Sequence, residues 1–166
     1  MQHVQLLQPL LIGLFTLSSF AMYGQHAPCN TSAAFGNAEA AYQSRNYAEV
    51  LEVLNEIEPC IAPTTPDSVR QYYVLWKGMA FARMRDFEQA SPLLETAATL
   101  AQRTNAYDVL STVYDGQSRI ASAMRDTQGS LELLRKALDA LHQTNPVDSI
   151  LLGVVLHNIG VRYNML

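Results

Sequence analysis

The chain has 166 residues, a length that fits one domain of ordinary size. Hydrophobic residues make up 49% and charged residues 16%, a balance that excludes an intrinsically disordered chain. The formal net charge is -4 and the 11 Lys and Arg residues form no basic run, so no nucleic-acid partner is predicted. Two cysteines alone do not make a zinc site, and neither a metal nor another cofactor is predicted.

Residues 1–25 have the pattern of a secretory signal peptide. The first charged side chain is Glu39, and an apolar stretch of 14 residues runs from Leu10 to Tyr23. Crossing a bilayer takes about 20 residues, so this stretch fits the apolar core of an export signal better than a membrane span. Because the start lacks Lys and Arg, an uncleaved anchor or a leader on a cytosolic chain stays open. We expect a periplasmic or secreted protein that contacts the membrane only through this leader.

The most informative signal in residues 26–166 is a repeat with a period of 40 residues. Asn46, Asp86 and Asp126 stand 40 residues apart, and each follows an Arg. The apolar positions with the same spacing include Leu54, Leu94 and Leu134. Repetition at this length predicts stacked supersecondary units that bury a continuous core together.

Each unit is predicted to contain two helices, and no strand is predicted because no stretch shows sustained two-residue alternation. Asn46, Asp86 and Asp126 are expected to cap second helices with their short side-chain oxygens. Thr65 and Asn145 are expected to cap first helices, each followed by a proline at the first helical position. The predicted helices span residues 32–45, 47–58, 66–84, 87–103, 106–124, 127–142 and 147–165.

Small residues explain how the two helices of a unit pair. Gly78 on the first helix, with Ala90 and Ala97 on the second, would allow two backbones to approach closely. Pro92 breaks this pattern because it removes one backbone hydrogen bond inside a helix, so we expect a bend or a late helix start there.

The second unit resembles a tetratricopeptide repeat, of the kind found in exported bacterial proteins. Gly78 stands at the small position of the first helix and Phe81 at its aromatic position. The second-helix positions of the family pattern are held by Phe87, Ala90, Leu94 and Ala97. The resemblance covers roughly residues 32–166. It departs from the family in its period, 40 residues rather than about 34. The positions that also depart are Val50, Ile57, Thr127 and Ser130.

The resemblance implies an all-α fold, a right-handed superhelical array of antiparallel helix hairpins. Its three units cover about 32–60, 66–103 and 106–143, and a lone helix over 147–166 would be the first helix of a fourth. It also implies a concave groove, lined by first helices, that binds a peptide or a partner helix. The groove positions carried over from the family are Phe35, Glu39, Tyr42, Tyr72, Leu75, Met79, Arg83, Asp115, Arg119 and Ser122.

The groove positions have competing structural readings. The Lys and Asn with which some family members grip a terminal carboxylate are replaced here by Phe35 and Glu39, so that clamp is absent. Leu75 and Met79 are interpreted first as packing between helices, and the two arginines of the groove as solvated. The best candidates for a binding hot spot are Tyr72, Tyr73 and Trp76, although Tyr73 and Trp76 fit the seam between units equally well.

No catalytic residue is predicted. The sequence has no phosphate-binding glycine loop and no recognisable motif of a nucleophile, histidine and acid. The expected function is therefore a non-catalytic scaffold or adaptor that binds a protein or peptide. The alternative, also implied by the resemblance, is a sensory or docking region at the start of a larger protein. Such a protein would be a sensor kinase, a transcription regulator or a caspase-like peptidase of the CHAT type.

The two cysteines are predicted to form a disulfide. Cys29 precedes the first helix of unit one and Cys60 follows its second helix, and these two ends are neighbours in an antiparallel hairpin. An exported chain meets an oxidising compartment, which favours the bond. The alternative is a pair of thiols in a cytosolic chain.

The last predicted helix, 147–165, is apolar nearly all round. Among its members are Ile150, Leu151, Leu152, Val154, Val155, Leu156 and Ile159. Terminal repeats need a polar outer face, and a helix without one requires burial. We therefore expect either that more chain follows Leu166 or that this face docks on a partner or on a second copy of the chain.

Overall fold

The computed structural model describes residues 29–165, and the predicted signal peptide lies outside them. The described part is all-α, with seven packed α-helices, a short 3-10 helix at Glu58–Cys60 and no strand. Each α-helix matches its predicted bounds to within two residues. The helices are α1 Thr31–Gln43, α2 Tyr47–Ile57, α3 Asp67–Met84, α4 Phe87–Thr104, α5 Tyr107–Ala123, α6 Thr127–Leu141 and α7 Ser149–Tyr163.

The repeated Arg-Asn or Arg-Asp dipeptide forms the same turn three times. The arginines with a left-handed backbone are Arg45, Arg85 and Arg125, at φ of 62°, 65° and 65°. In each turn the next N–H donates to the carbonyl five residues earlier, as Asp86 does to Phe81 at 2.9 Å. The same residue then caps the following helix, and Asp126 Oδ1 accepts the Gly129 N–H at 2.8 Å. The caps predicted from the repeat are confirmed.

The predicted caps of two first helices are wrong. Helix α3 begins at Asp67 with Pro66 in the cap position, and the Thr65 hydroxyl instead accepts the Ala62 N–H at 2.9 Å. Helix α7 begins later than Asn145 predicts, because Asp148 Oδ1 accepts two N–H groups of its first turn, at 2.8 and 3.0 Å.

Pro92 does not delay α4. The helix begins at Phe87, directly after the Asp86 cap, and continues through the proline. The predicted late start is therefore wrong. The carbonyl that loses its helical partner to Pro92 belongs to Glu88, an exposed residue.

Two glycines set the close approach of α3, α4 and α5. A Cβ added to Gly78 would lie 3.1 Å from the Leu93 Cβ, so α4 packs directly on this position of α3. A Cβ added to Gly116 of α5 would lie 2.6 Å from the Met79 sulfur and 3.2 Å from Leu94 Cδ1. A larger side chain at either position would push the helices apart.

Unit one achieves the same packing with the sizes reversed. Val50 and Ile57 of α2 are bulky where the family pattern is small, and both are buried. The facing helix α1 buries only small side chains, Ala34, Ala38 and Ala41. Bulky side chains of α2 therefore pack against small ones of α1.

Cys29 and Cys60 are joined by a disulfide, with their Cα atoms 6.2 Å apart. The bond ties the start of α1 to the 3-10 helix that follows α2, and the pairing is the one predicted from the hairpin. No helix of residues 29–165 is long and apolar enough to cross a membrane.

Candidate binding groove

A cleft of about 490 Å³ lies along one face of the molecule. Its lining residues come from α1, α3, α5 and α7, together with Asp148 just before α7. Within the described residues, none of the alternate helices α2, α4 and α6 contributes to it. The first helix of each predicted pair thus faces this cleft, whose volume lies in the range typical of ligand sites.

Eight of the ten residues predicted for the groove line this cleft. They are Glu39, Tyr42, Tyr72, Leu75, Met79, Arg83, Asp115 and Arg119. Phe35 lines a smaller cavity of about 240 Å³ that shares Glu39, Tyr72 and Trp76 with the cleft. Ser122 lines neither cavity, because it lies near the end of α5, where its carbonyl accepts the Arg125 N–H at 3.0 Å and closes the turn.

The floor of the cleft is apolar and belongs to the core. Leu75, Met79 and Val109 are all nearly fully buried, and they pack between α3, α4 and α5 while bordering the cleft. Their first role is packing, as the sequence predicts for Leu75 and Met79. Where they border the cleft they make its floor apolar.

Aromatic rings form the wall on the α1 side. The ring centroids of Tyr42 and Trp76 are 5.4 Å apart, and those of Phe35 and Tyr72 are 5.9 Å apart. Trp76 lines the cleft, whereas Tyr73 is buried against α1 and α2. The structure therefore assigns Tyr73 to the seam between units, while Trp76 serves both the seam and the cleft.

Arg83 is held in place by two tyrosines. Its Nε donates a hydrogen bond to the Tyr42 hydroxyl at 2.9 Å. Its guanidinium carbon lies 5.4 Å from the ring centre of Tyr42 and 5.9 Å from that of Tyr47. Burial raises the pKa of Tyr42 despite the opposing effect of Arg83, so this phenol stays neutral. Arg83 is exposed to solvent, as the sequence predicts, but it also contacts both rings and keeps its positive charge.

Asp115 is a buried carboxylate with two partners. One oxygen accepts from Arg119 Nε at 2.8 Å and the other from Asn158 Nδ2 at 2.6 Å. A buried charge is tolerated when it is paired and hydrogen-bonded in this way. The pair compensates the charge of Arg119, and Asn158 connects α7 to α5.

Charge is separated along the cleft. Asp108 lies in the first turn of α5, and Asp148 caps α7. Arg83 lies in the last turn of α3. Helices α3 and α5 run in the same direction because α4 returns the chain between them, so the cleft has an acidic end and a basic end.

Several lining residues are absent from the groove positions carried over by resemblance. Asp108 and Thr112 precede Asp115 and Arg119 at helical spacing, and the same periodicity could have found them. The α7 residues Ile150, Leu151 and Val154, by contrast, carry no local sign that they reach the cleft.

Helix α7 keeps much of its apolar surface exposed. Val155 is buried, but Ile150 is 80% exposed and Leu156 is 49% exposed. A Cβ added to Gly153 or Gly160 would meet nothing within 4 Å. The first-helix glycine of unit two, Gly78, is by contrast covered by Leu93 and Leu94 of α4.

Within residues 29–165 no group of three or more His, Cys, Asp and Glu side chains could hold a metal ion. Comparisons of the chain with protein-family models, curated proteins and solved structures found no match. Membership of the tetratricopeptide repeat family therefore stays a prediction from the residues that carry the resemblance.

Proposed function

We propose that this chain is a non-catalytic interaction module of the tetratricopeptide type in an exported protein. Its helix pairs form a right-handed superhelical array, and its cleft binds a peptide or a partner helix. The observation that carries the proposal is the cleft itself, which is lined by alternate helices only. The Cys29–Cys60 bond is compatible with an oxidising location such as the periplasm or the extracellular space.

The composition of the cleft favours protein binding over other uses. Tyr, Trp and Arg are the residue types most enriched in binding hot spots, and Tyr42, Tyr72, Trp76 and Arg83 all border the cleft. An apolar floor can bury a side chain of the ligand, and a few polar groups can orient the ligand's backbone. Peptides are ligands that carry both features.

Tyr72→Ala is expected to weaken peptide binding strongly. Peptides selected on the purified protein from a random library serve as the probe, with affinities measured by calorimetry. Loss of the ring should reduce affinity by about 30-fold or more, which corresponds to about 2 kcal/mol at a hot spot. The variant should still unfold cooperatively, because Tyr72 is only partly buried.

The matched control is Tyr163→Ala, the same substitution at an exposed tyrosine of α7 that does not line the cleft. Its affinity should stay within about twofold of the unsubstituted protein. Equal affinities for both variants would place binding elsewhere and overturn the proposed site. Failure to select any peptide that binds would overturn the proposed function.

Self-association through α7 is a second candidate, favoured by the exposed apolar face of that helix. We expect light scattering to show a dimer whose population rises with concentration. Leu156→Glu should return the protein to a monomer, because it places a charge in the apolar contact. Met84→Glu, at an exposed methionine 50% accessible on α3, should leave the dimer intact. A monomer at every concentration contradicts this candidate.

A further inference from the structure

We propose that the cleft selects peptides by a carboxylate group, which binds Arg83 while a neighbouring apolar side chain lies on the floor of Leu75 and Met79. The inference rests on the proposed function and specifies the chemistry of the partner. The carboxylate belongs either to an Asp or Glu side chain or to a peptide terminus.

The charges at the basic end do not cancel. Asp115 pairs with Arg119 at 2.8 Å, whereas Arg83 forms no ion pair with any described residue. The cluster of Arg83, Arg119 and Asp115 therefore keeps one net positive charge beside the aromatic wall.

The guanidinium of Arg83 is oriented in advance for a ligand. Its Nε is used by Tyr42, and its plane is positioned by the rings of Tyr42 and Tyr47. Its two terminal nitrogens make no hydrogen bond with a described residue. These donors form a fork that matches the two oxygens of a carboxylate. Because these contacts restrict the side chain, binding should lose less conformational entropy than at an arginine without them.

The residues that line the cleft around Arg83 indicate which other side chains the peptide should carry. Met79 lies about one helical turn before Arg83 on α3, and Leu75 and Trp76 lie about one turn before Met79, so a residue next to the carboxylate should be apolar. Glu39, Asp108 and Asp148 also line the cleft and would repel a second carboxylate. The cleft thus favours a single acidic group with its position and direction fixed, rather than a generally acidic chain.

The test combines peptide selection with a pair of matched variants. Peptides selected on the unsubstituted protein should be enriched in an acidic residue beside an apolar one, or should depend on a terminal carboxylate. Arg83→Gln should lower affinity for them on the order of 10- to 100-fold, the usual effect of a charge-assisted hydrogen bond. Arg85→Gln makes the same charge change two residues away, outside the cleft, and should change affinity by less than about twofold.

Changing the peptide separates the two sources of the carboxylate. If the acid is a side chain, replacing Glu by Gln or Asp by Asn in the peptide should lose the same affinity, and Arg83→Gln should then cost nothing further. If the acid is the terminus, amidation should have this effect instead. Affinity in the unsubstituted protein should also fall with added salt, and this dependence should weaken in Arg83→Gln.

Two results would overturn the inference. Selected peptides that show no acidic preference and bind Arg83→Gln as well as the unsubstituted protein would remove the role of Arg83. If Tyr72→Ala still weakened those peptides, the proposed function would stand without it. If no peptide bound at all, both would fail together. Unfolding curves of Arg83→Gln and Arg85→Gln that both superimpose on that of the unsubstituted protein would show that neither change acts through folding.

Discussion

Leu94→Ala is expected to lower the free energy of unfolding by about 2–5 kcal/mol, the usual cost of emptying a buried leucine site. Leu94 is 0% exposed and lies where three helices meet. A Cβ added to Gly78 of α3 would lie 3.1 Å from Leu94 Cδ2, and a Cβ added to Gly116 of α5 would lie 3.2 Å from Leu94 Cδ1. Because these glycines already bring the backbones close together, the helices have little room to collapse into the cavity.

Urea unfolding followed by circular dichroism measures this effect. The control is Met124→Ala, a truncation at a methionine that is 64% exposed and lies outside α7, for which a change within about 0.5 kcal/mol is expected. Leu54→Ala and Leu134→Ala test the repeat, because these residues occupy the corresponding positions of the other units and are also 0% exposed. If Leu94→Ala unfolds at the same urea concentration as Met124→Ala, the packing described here is wrong.

Loss of the Cys29–Cys60 disulfide is expected to lower the free energy of unfolding by roughly 3–4 kcal/mol, from the chain entropy of a loop this long. The two cysteines are separated by 31 residues, and the loop between them contains all of α1 and α2. A double variant, Cys29→Ser with Cys60→Ser, should unfold at a lower urea concentration than the oxidised protein. Reductant should move the oxidised protein to that value and leave the variant unchanged.

The bond also supports the cleft. Helix α1 supplies Glu39 and Tyr42 to it, and Tyr42 is the residue that orients Arg83. A loosened α1 should therefore reduce peptide affinity as well as stability. Alkylation of unreduced protein recovered after export, followed by mass spectrometry, checks the premise. Two alkylated cysteines would contradict both the bond and the predicted oxidising location.

The sequence was sufficient for the features that depend on local or periodic signals. The helix bounds follow from the 40-residue period, and the caps at Asn46, Asp86 and Asp126 follow from a short side chain acting within three residues of itself. The cysteine pairing follows because a hairpin brings its two ends together. The sequence prediction was wrong where two possible caps lay close together, because Asp148 rather than Asn145 caps α7.

The tertiary structure decided which charges of the cleft are held by other helices. Arg83 meets Tyr42 from 41 residues away, and Asp115 meets Asn158 from 43 residues away. The spacing of Asp115 and Arg119, four residues apart on α5, indicates their ion pair from the sequence, but nothing local predicts the contact of Arg83 with a tyrosine of α1. The sequence by itself determined seven helices and the three Arg-containing turns, and the resemblance indicated the face that the first helices share. Packing across units, where size and charge are matched between distant residues, determined which of those residues are available to a ligand.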